Sequence, residues 1–94
     1  DNHSQMTATL DTTPPGQRVR IDRIAWDRLA DDEGRRLREY GLFDGVEVTV
    51  LHRGTLVSRD PLALAVGRMR VVIRARQAAA IAVEAVQAVA EREA

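Results

Sequence analysis

The chain has no cysteine and no lysine, and its 94 residues include only three aromatics, Trp26, Tyr40 and Phe43. Without cysteine there are no disulfides and no thiolate metal sites, and nothing reports on redox compartment. So few aromatics supply a stacking platform for single-stranded nucleic acid poorly. An excess of one charge is missing too: fourteen arginines balance fourteen acids. Such a chain has no bulk electrostatic reason to seek nucleic acid or an anionic membrane, although a local basic face is compatible with it. No apolar run approaches the roughly 20 residues of a membrane helix, and no signal-peptide pattern precedes the domain, so a soluble cytoplasmic protein is expected. Catalytic signatures are lacking as well. There is no Ser/His/acid set, no phosphate-binding glycine loop and no pair of metal-spaced histidines, which points away from an enzyme.

What is present is organised around Arg35 to Val48. Gly41 stands where a helix C-terminus favours a left-handed residue, with Leu37 and Leu42 spaced for the hydrophobic contact of a Schellman stop. Gly45 permits a second positive-φ turn before Val46, Val48 and Val50 begin a period-two strand. A helix therefore ends by folding back onto a sheet.

Ahead of this, residues 1–9 are expected to be disordered, Asp1 to Gln5 being a cloning remnant before Met6, so His3 is set aside. Residues up to Thr13 are expected to be weakly ordered, with Leu10 as an anchor. Pro14-Pro15-Gly16 punctuates the entry to a first strand at Arg18 to Ala25. Val19 and Ile21 share one parity and Ile24 and Trp26 the other, which places a bulge near Asp22-Arg23. Asp27 to Tyr40 reads as helical, with Asp31 as N-cap of the main helix and Asp32 and Glu33 in its first turn. Its inward stripe is Ala30, Gly34, Leu37 and Gly41, small enough for the helix to press closely on the sheet. Val46 to His52, Leu62 to Val66 and Met69 to Ile73 form three further strands, the last two joined by a hairpin at Gly67-Arg68, with Met69, Val71 and Ile73 inward.

From Ala75 onward nine of twenty residues are alanine, and local propensity alone specifies one long helix. A four-stranded barrel would leave an open edge that Ile81 to Val86 can close. The expectation is a helical turn at Arg76 to Ala79, a fifth strand from Ile81, and a tail over residues 87–94. The whole is a mainly β domain of residues 10–86, a small five-stranded barrel with one helix after its first strand.

In this order the chain resembles the FeoA family, the small protein A of ferrous iron transport systems. Pro15-Gly16 before Arg18-Val19-Arg20-Ile21, then Arg36-Leu37-Arg38-Glu39-Tyr40-Gly41-Leu42 followed by Gly45-Val46, are similar to its opening and to its most diagnostic segment. Asp60-Pro61 before a strand, and Arg74 before Ala78-Ala79-Ala80-Ile81, are similar to its close. Asp44 stands where the family often has proline, and Tyr40 where it often has leucine. The resemblance implies an SH3-like barrel and a non-enzymatic accessory role with the membrane GTPase permease FeoB, which would recruit the protein to the inner face of the plasma membrane. An FeoA-type domain of iron-dependent repressors, binding peptide or nucleic acid, is the alternative it implies.

Candidate contact residues are Arg35, Arg38, Tyr40 and Phe43 around the helix C-terminus, and Arg68, Arg70 and Arg74 on the hairpin. No nucleic acid is expected as partner, and a homo-oligomer is compatible with the sequence. For metal, ferrous ion favours imidazole and carboxylate ligands. His52, Asp44, Glu47 and Asp60 are scattered and read more economically as turn and surface residues, so no cofactor and no metal site are assigned beyond weak transition-metal binding.

Overall fold

The computed structural model describes residues 8–53 and 60–86; readings made of residues 1–7, 54–59 and 87–94 lie outside it. Its strands are β1 (Ala8–Thr9), β2 (Arg18–Ile24), β3 (Glu47–Arg53), β4 (Leu62–Val66), β5 (Met69–Ile73) and β6 (Ile81–Ala85), and its helices are α1 (Asp31–Glu39) and α2 (Ala75–Ala78). The strands form one antiparallel sheet in the order β1-β6-β2-β3-β4-β5. The protein is thus mainly β, as its alternating apolar runs require, with α1 inserted between β2 and β3.

Period-two alternation places Val19 and Ile21 of β2, Val48 and Val50 of β3, Leu62, Leu64 and Val66 of β4, Val71 and Ile73 of β5, and Ile81 and Val83 of β6 in a single core. Ile24 joins them despite its opposite parity, because the β2–β6 register shifts between Ile21 and Arg23. The extra residue turns Ile24 back inward and bends the strand. A second register shift in β3, between Val50 and His52, has no such parity signature in the sequence.

β6 settles the competition in the alanine-rich stretch. Ala82, Val83 and Ala85 pair with β2 and Ala82 and Val83 with β1, so tertiary pairing overrides the helical propensity of the segment. Among the described residues of this stretch, only Ala75–Ala78 are helical. The Gln77 side chain accepts from the Arg74 N–H at 2.9 Å, and Asp60 Oδ1 accepts from the Ala75 N–H at 2.9 Å, so two first-turn donors are satisfied.

Residues 8–13 correct the sequence reading. Ala8–Thr9 pair with β6 as a sixth strand, Leu10–Thr12 form a 3-10 turn, and Leu10 and Thr13 are buried. The Leu10 side chain is the physical cause. It is fully enclosed in the core and holds the short strand against β6.

The route from β2 to β3 is an excursion with a closed neck. Ile21 donates its N–H to the Val46 carbonyl at 2.8 Å, and Gly45 donates to the Ile21 carbonyl at 2.7 Å. Between these points lie a 3-10 turn at Trp26–Arg28, an extended Leu29-Ala30 step, and α1. The helix therefore begins later than Asp27. Its N-cap is Ala30 rather than Asp31: Ala30 is extended, and its carbonyl already accepts from the Gly34 N–H at 2.9 Å. Ala30 has no side chain to offer, and the carboxylate of Glu33 reaches back to the Ala30 N–H at 2.9 Å, which is half of a capping box.

The helix stops as its sequence specifies. Gly41 has φ +85°, its N–H donates to the Arg38 carbonyl at 2.9 Å, and the Leu42 N–H donates to the Leu37 carbonyl at 3.0 Å. These are the two bonds of a Schellman motif, and both leucines are fully buried. Two inward assignments fail. Ala30 is exposed, Glu33 taking its place on the buried side of α1, and Met69 is 48% exposed because it opens β5 at the hairpin rim, beyond the core.

Candidate functional site

Asp31, Gly34, Arg35 and Arg38 recur at i, i+3, i+4 and i+7, so one face of α1 carries all four. That face forms one wall of a groove of about 320 Å3 whose other wall is Trp26, Leu29 and Ala30. The extended step at Leu29-Ala30 turns the chain so that the preceding 3-10 segment lies beside the helix it introduces. A methyl group on Gly34 would lie 3.5 Å from Trp26 Cε3. The close neighbour of this glycine is therefore the indole, where the sequence reading had placed the sheet.

Arg38 lies over Trp26, its guanidinium carbon 4.4 Å from the ring centroid. This is a cation–π contact at a half-exposed site, worth about 0.5–1 kcal/mol. Neither Arg35 nor Arg38 forms an ion pair with a carboxylate among the described residues. Other arginines do. On the outer face of the sheet, Arg20 sits between Glu47 and Glu84, at 4.0 and 3.3 Å, and Arg18 reaches Glu47 at 3.7 Å.

Inside the neighbouring angle between α1 and α2 lies a buried acid. Glu33, only 8% exposed, accepts from the Ala30 N–H, from Gln77 Nε2 at 3.2 Å and from Arg76 Nη1 at 3.3 Å, and pairs with Arg76 Nη2. The Ala30 N–H, then Gln77 and Arg76, hold its carboxyl below the ordinary glutamate range against the opposing effect of burial. Every acceptor position is used, so this acid is a strut between helices.

The expected contact residues around the helix C-terminus, Arg35, Arg38, Tyr40 and Phe43, differ in their surroundings. The two arginines line the Trp26 groove, Tyr40 is half-buried against the core, and Phe43 is 46% exposed in the turn before β3. Arg68, Arg70 and Arg74 are all exposed, Arg70 and Arg74 on the outward parity of β5 shared with exposed Val72. Val48 pairs with Val66, and Val66 with Met69, so the hairpin tip at Gly67-Arg68 lies at the end of the sheet where the Phe43–Val46 turn enters β3. Trp26, Leu29 and Asp31 were absent from the sequence assignment. The spacing of Asp31, Gly34, Arg35 and Arg38 carried the signal for the helix face, but the position of the indole depends on the Leu29-Ala30 step.

The acids weighed for metal have other work. Glu47 pairs with Arg18 and Arg20, Asp60 caps α2, and Asp44 and His52 are exposed. No group of three histidines or acids poised to hold a metal ion occurs among the described residues.

The FeoA domain model matches residues 8–85. Stenotrophomonas maltophilia FeoA complexed with zinc, described as a prokaryotic SH3 domain protein and candidate ferrous iron transport activating factor, is similar at 31% identity and TM-score 0.67, covering 81% of this chain and 88% of that one. FeoA from Chlorobium tepidum is 25% identical with a TM-score of 0.73 over 84% of this chain and 70% of that one. A manganese-dependent transcriptional repressor shares the fold at 18% identity and TM-score 0.73, over 86% of this chain and 42% of the repressor. No curated protein matches the chain.

Proposed function

Because the chain belongs to the FeoA family, we propose that it is a non-enzymatic accessory protein of ferrous iron uptake that binds the cytosolic part of an FeoB-type GTPase permease and supports its assembly or activity. The observation that carries this reading is the FeoA domain match across residues 8–85, the extent of the folded sheet. The S. maltophilia relative, described as a candidate activating factor of ferrous iron transport, supports the same role. Small barrels engage partners through grooves and exposed edges, which suits an accessory module.

On this reading the partner meets Arg35 and Arg38 on α1, with Tyr40 and Phe43 beside the helix stop and Arg68 and Arg70 at the hairpin. The exposure of Phe43 and of the arginines favours this surface over the ion-paired outer face of β2 and β3. The protein works in the cytoplasm and is recruited to the membrane by its partner; no helix among the described residues is long and apolar enough to cross a membrane.

Titration calorimetry against the permease's soluble GTPase domain, in each nucleotide state, tests the reading. Binding in at least one state is expected. Absence of binding in every state, together with unchanged iron uptake after deletion of the gene, overturns it. The repressor-type alternative rests on likeness of fold alone, and a salt-dependent shift of DNA by the purified protein would be needed to revive it.

A further inference from the structure

We propose that the groove between Trp26 and α1 binds an acidic peptide segment, a carboxylate of the segment being taken by Arg38 and Arg35 while a neighbouring apolar side chain rests on Trp26 and Leu29. The proposal rests on the reading of α1 as the partner-facing element, and adds the chemistry of what it recognises.

The first support is the state of Arg38. A guanidinium lying over an indole has one face occupied and its long side chain restrained, while no described carboxylate pairs with its N–H donors. Such a fork matches a carboxylate in two parallel hydrogen bonds, and the contact with the indole supplies part of the arginine's ordering before the ligand arrives. Arg35 lies three positions before Arg38 on the same wall of the groove and adds a second charge.

The second support is position. No described carboxylate satisfies Arg35 or Arg38; Arg23, Arg28, Arg36, Arg68, Arg70 and Arg74 share that state, but Arg35 and Arg38 are the arginines that line the groove. The acid nearest in sequence on that face, Asp31, lies one helical turn before Arg35 and forms no ion pair with it.

Charge also decides the class of ligand. Asp27, Asp31 and Asp32 are exposed at the start of the helix, so the groove is basic at one end only and repels an extended polyanion. A peptide with one or two acids beside an apolar residue fits this split; a nucleic acid strand does not.

Trp26 is the only tryptophan of the chain, so its emission reports directly on the groove. The probe is a short synthetic peptide with leucine flanked by aspartate and glutamate, compared with the same peptide carrying lysines at the acidic positions. The acidic peptide is expected to change Trp26 emission saturably, protect it from iodide and weaken with salt. Arg38→Glu is expected to reduce affinity by about tenfold or more, as for loss of a hydrogen-bonded charge contact. Arg38→Lys, which keeps the charge and loses the planar fork, retains only part of the affinity. Arg20→Gln, on the outer face of the sheet, binds as wild type, and thermal melts confirm that each variant is folded.

The proposal is overturned by an unsaturable response, by equal binding of the lysine peptide, or by unchanged affinity in Arg38→Glu. Saturable quenching by an oligonucleotide without any response to the peptide overturns it in favour of nucleic acid. Binding seen only after removal of residues 87–94, which carry Glu91 and Glu93, assigns the groove to the chain's own tail and overturns an external partner. Failure of the peptide with intact binding of the permease domain sinks this inference alone. Intact peptide binding without permease binding sinks the transport reading instead.

Discussion

Gln77 donates its side-chain amide to Glu33 across 3.2 Å, joining α2 to the first turn of α1 over a separation of 44 residues. The same carboxylate accepts from the Ala30 N–H and from Arg76, so one acid ties the helical excursion to the segment that leads into β6.

This arrangement makes stability depend on pH in a stated direction. Hydrogen bonding to its charged form holds the folded-state pKa of Glu33 below the ordinary value of 4.5. The stabilisation is therefore complete above the unfolded-state pKa and is lost as pH falls through the folded-state value. Urea midpoints measured from neutral pH downward are expected to fall below the ordinary glutamate range. Glu33→Gln is expected to be less stable at neutral pH and to show a shallower acid decline. Parallel pH profiles for the two proteins would show that the Glu33 charge is not responsible.

Gly41→Val should destabilise the protein by about 2 kcal/mol or more, since a β-branched residue is poorly accommodated in the left-handed region. The space around Gly41 is open, with nothing within 4 Å of an added Cβ, so the cost is one of backbone conformation rather than of collision. Denaturant unfolding measures it, and an unchanged midpoint would contradict the Schellman geometry.

Gly34→Ala has the opposite expectation. Its backbone is helical, and the new methyl group would make ordinary contact with Trp26 at 3.5 Å. Helix propensity favours alanine by about 1 kcal/mol, so the variant should melt at the same temperature as wild type or higher. A clear loss of stability would mean that the indole is held more tightly against the helix than this spacing requires.

Arg20→Ala should change stability by no more than about 1 kcal/mol, even though Arg20 stands between two glutamates. The side chains of Arg20, Glu47 and Glu84 are 41–51% exposed, so solvent screens each pair. Unfolding at low and high salt checks this. A loss of several kcal/mol would show cooperative coupling across the three strands.

The legible parts of the sequence were those in which local pattern and packing agree. The bulge in β2 announced itself because Ile24 changes parity after Ile21, and the helix stop because Gly41 separates two leucines at the right spacing. The shift in β3 was hidden: Leu51, which follows the buried Val50, is apolar but only partly buried, so parity carried no warning. Glu33 looked like a first-turn acid facing the helix dipole, because its partners Gln77 and Arg76 are more than forty residues away. Of the candidate surface, the arginines of α1 could be chosen by position. Their association with Trp26 could not, since it depends on two extended residues, Leu29 and Ala30, within a stretch that reads as helical.

The closed neck at Ile21, Gly45 and Val46 has a consequence for how this protein can change. The chain leaves the sheet after Ile24 and returns to it beside Ile21, and Leu37 and Leu42 are the fully buried side chains that the excursion sends into the core. The outward positions of α1, Asp31, Arg35 and Arg38 among them, can therefore be rewritten without disturbing a strand pair. Recognition and foldability are separately mutable here, so new partners can be acquired on an old barrel.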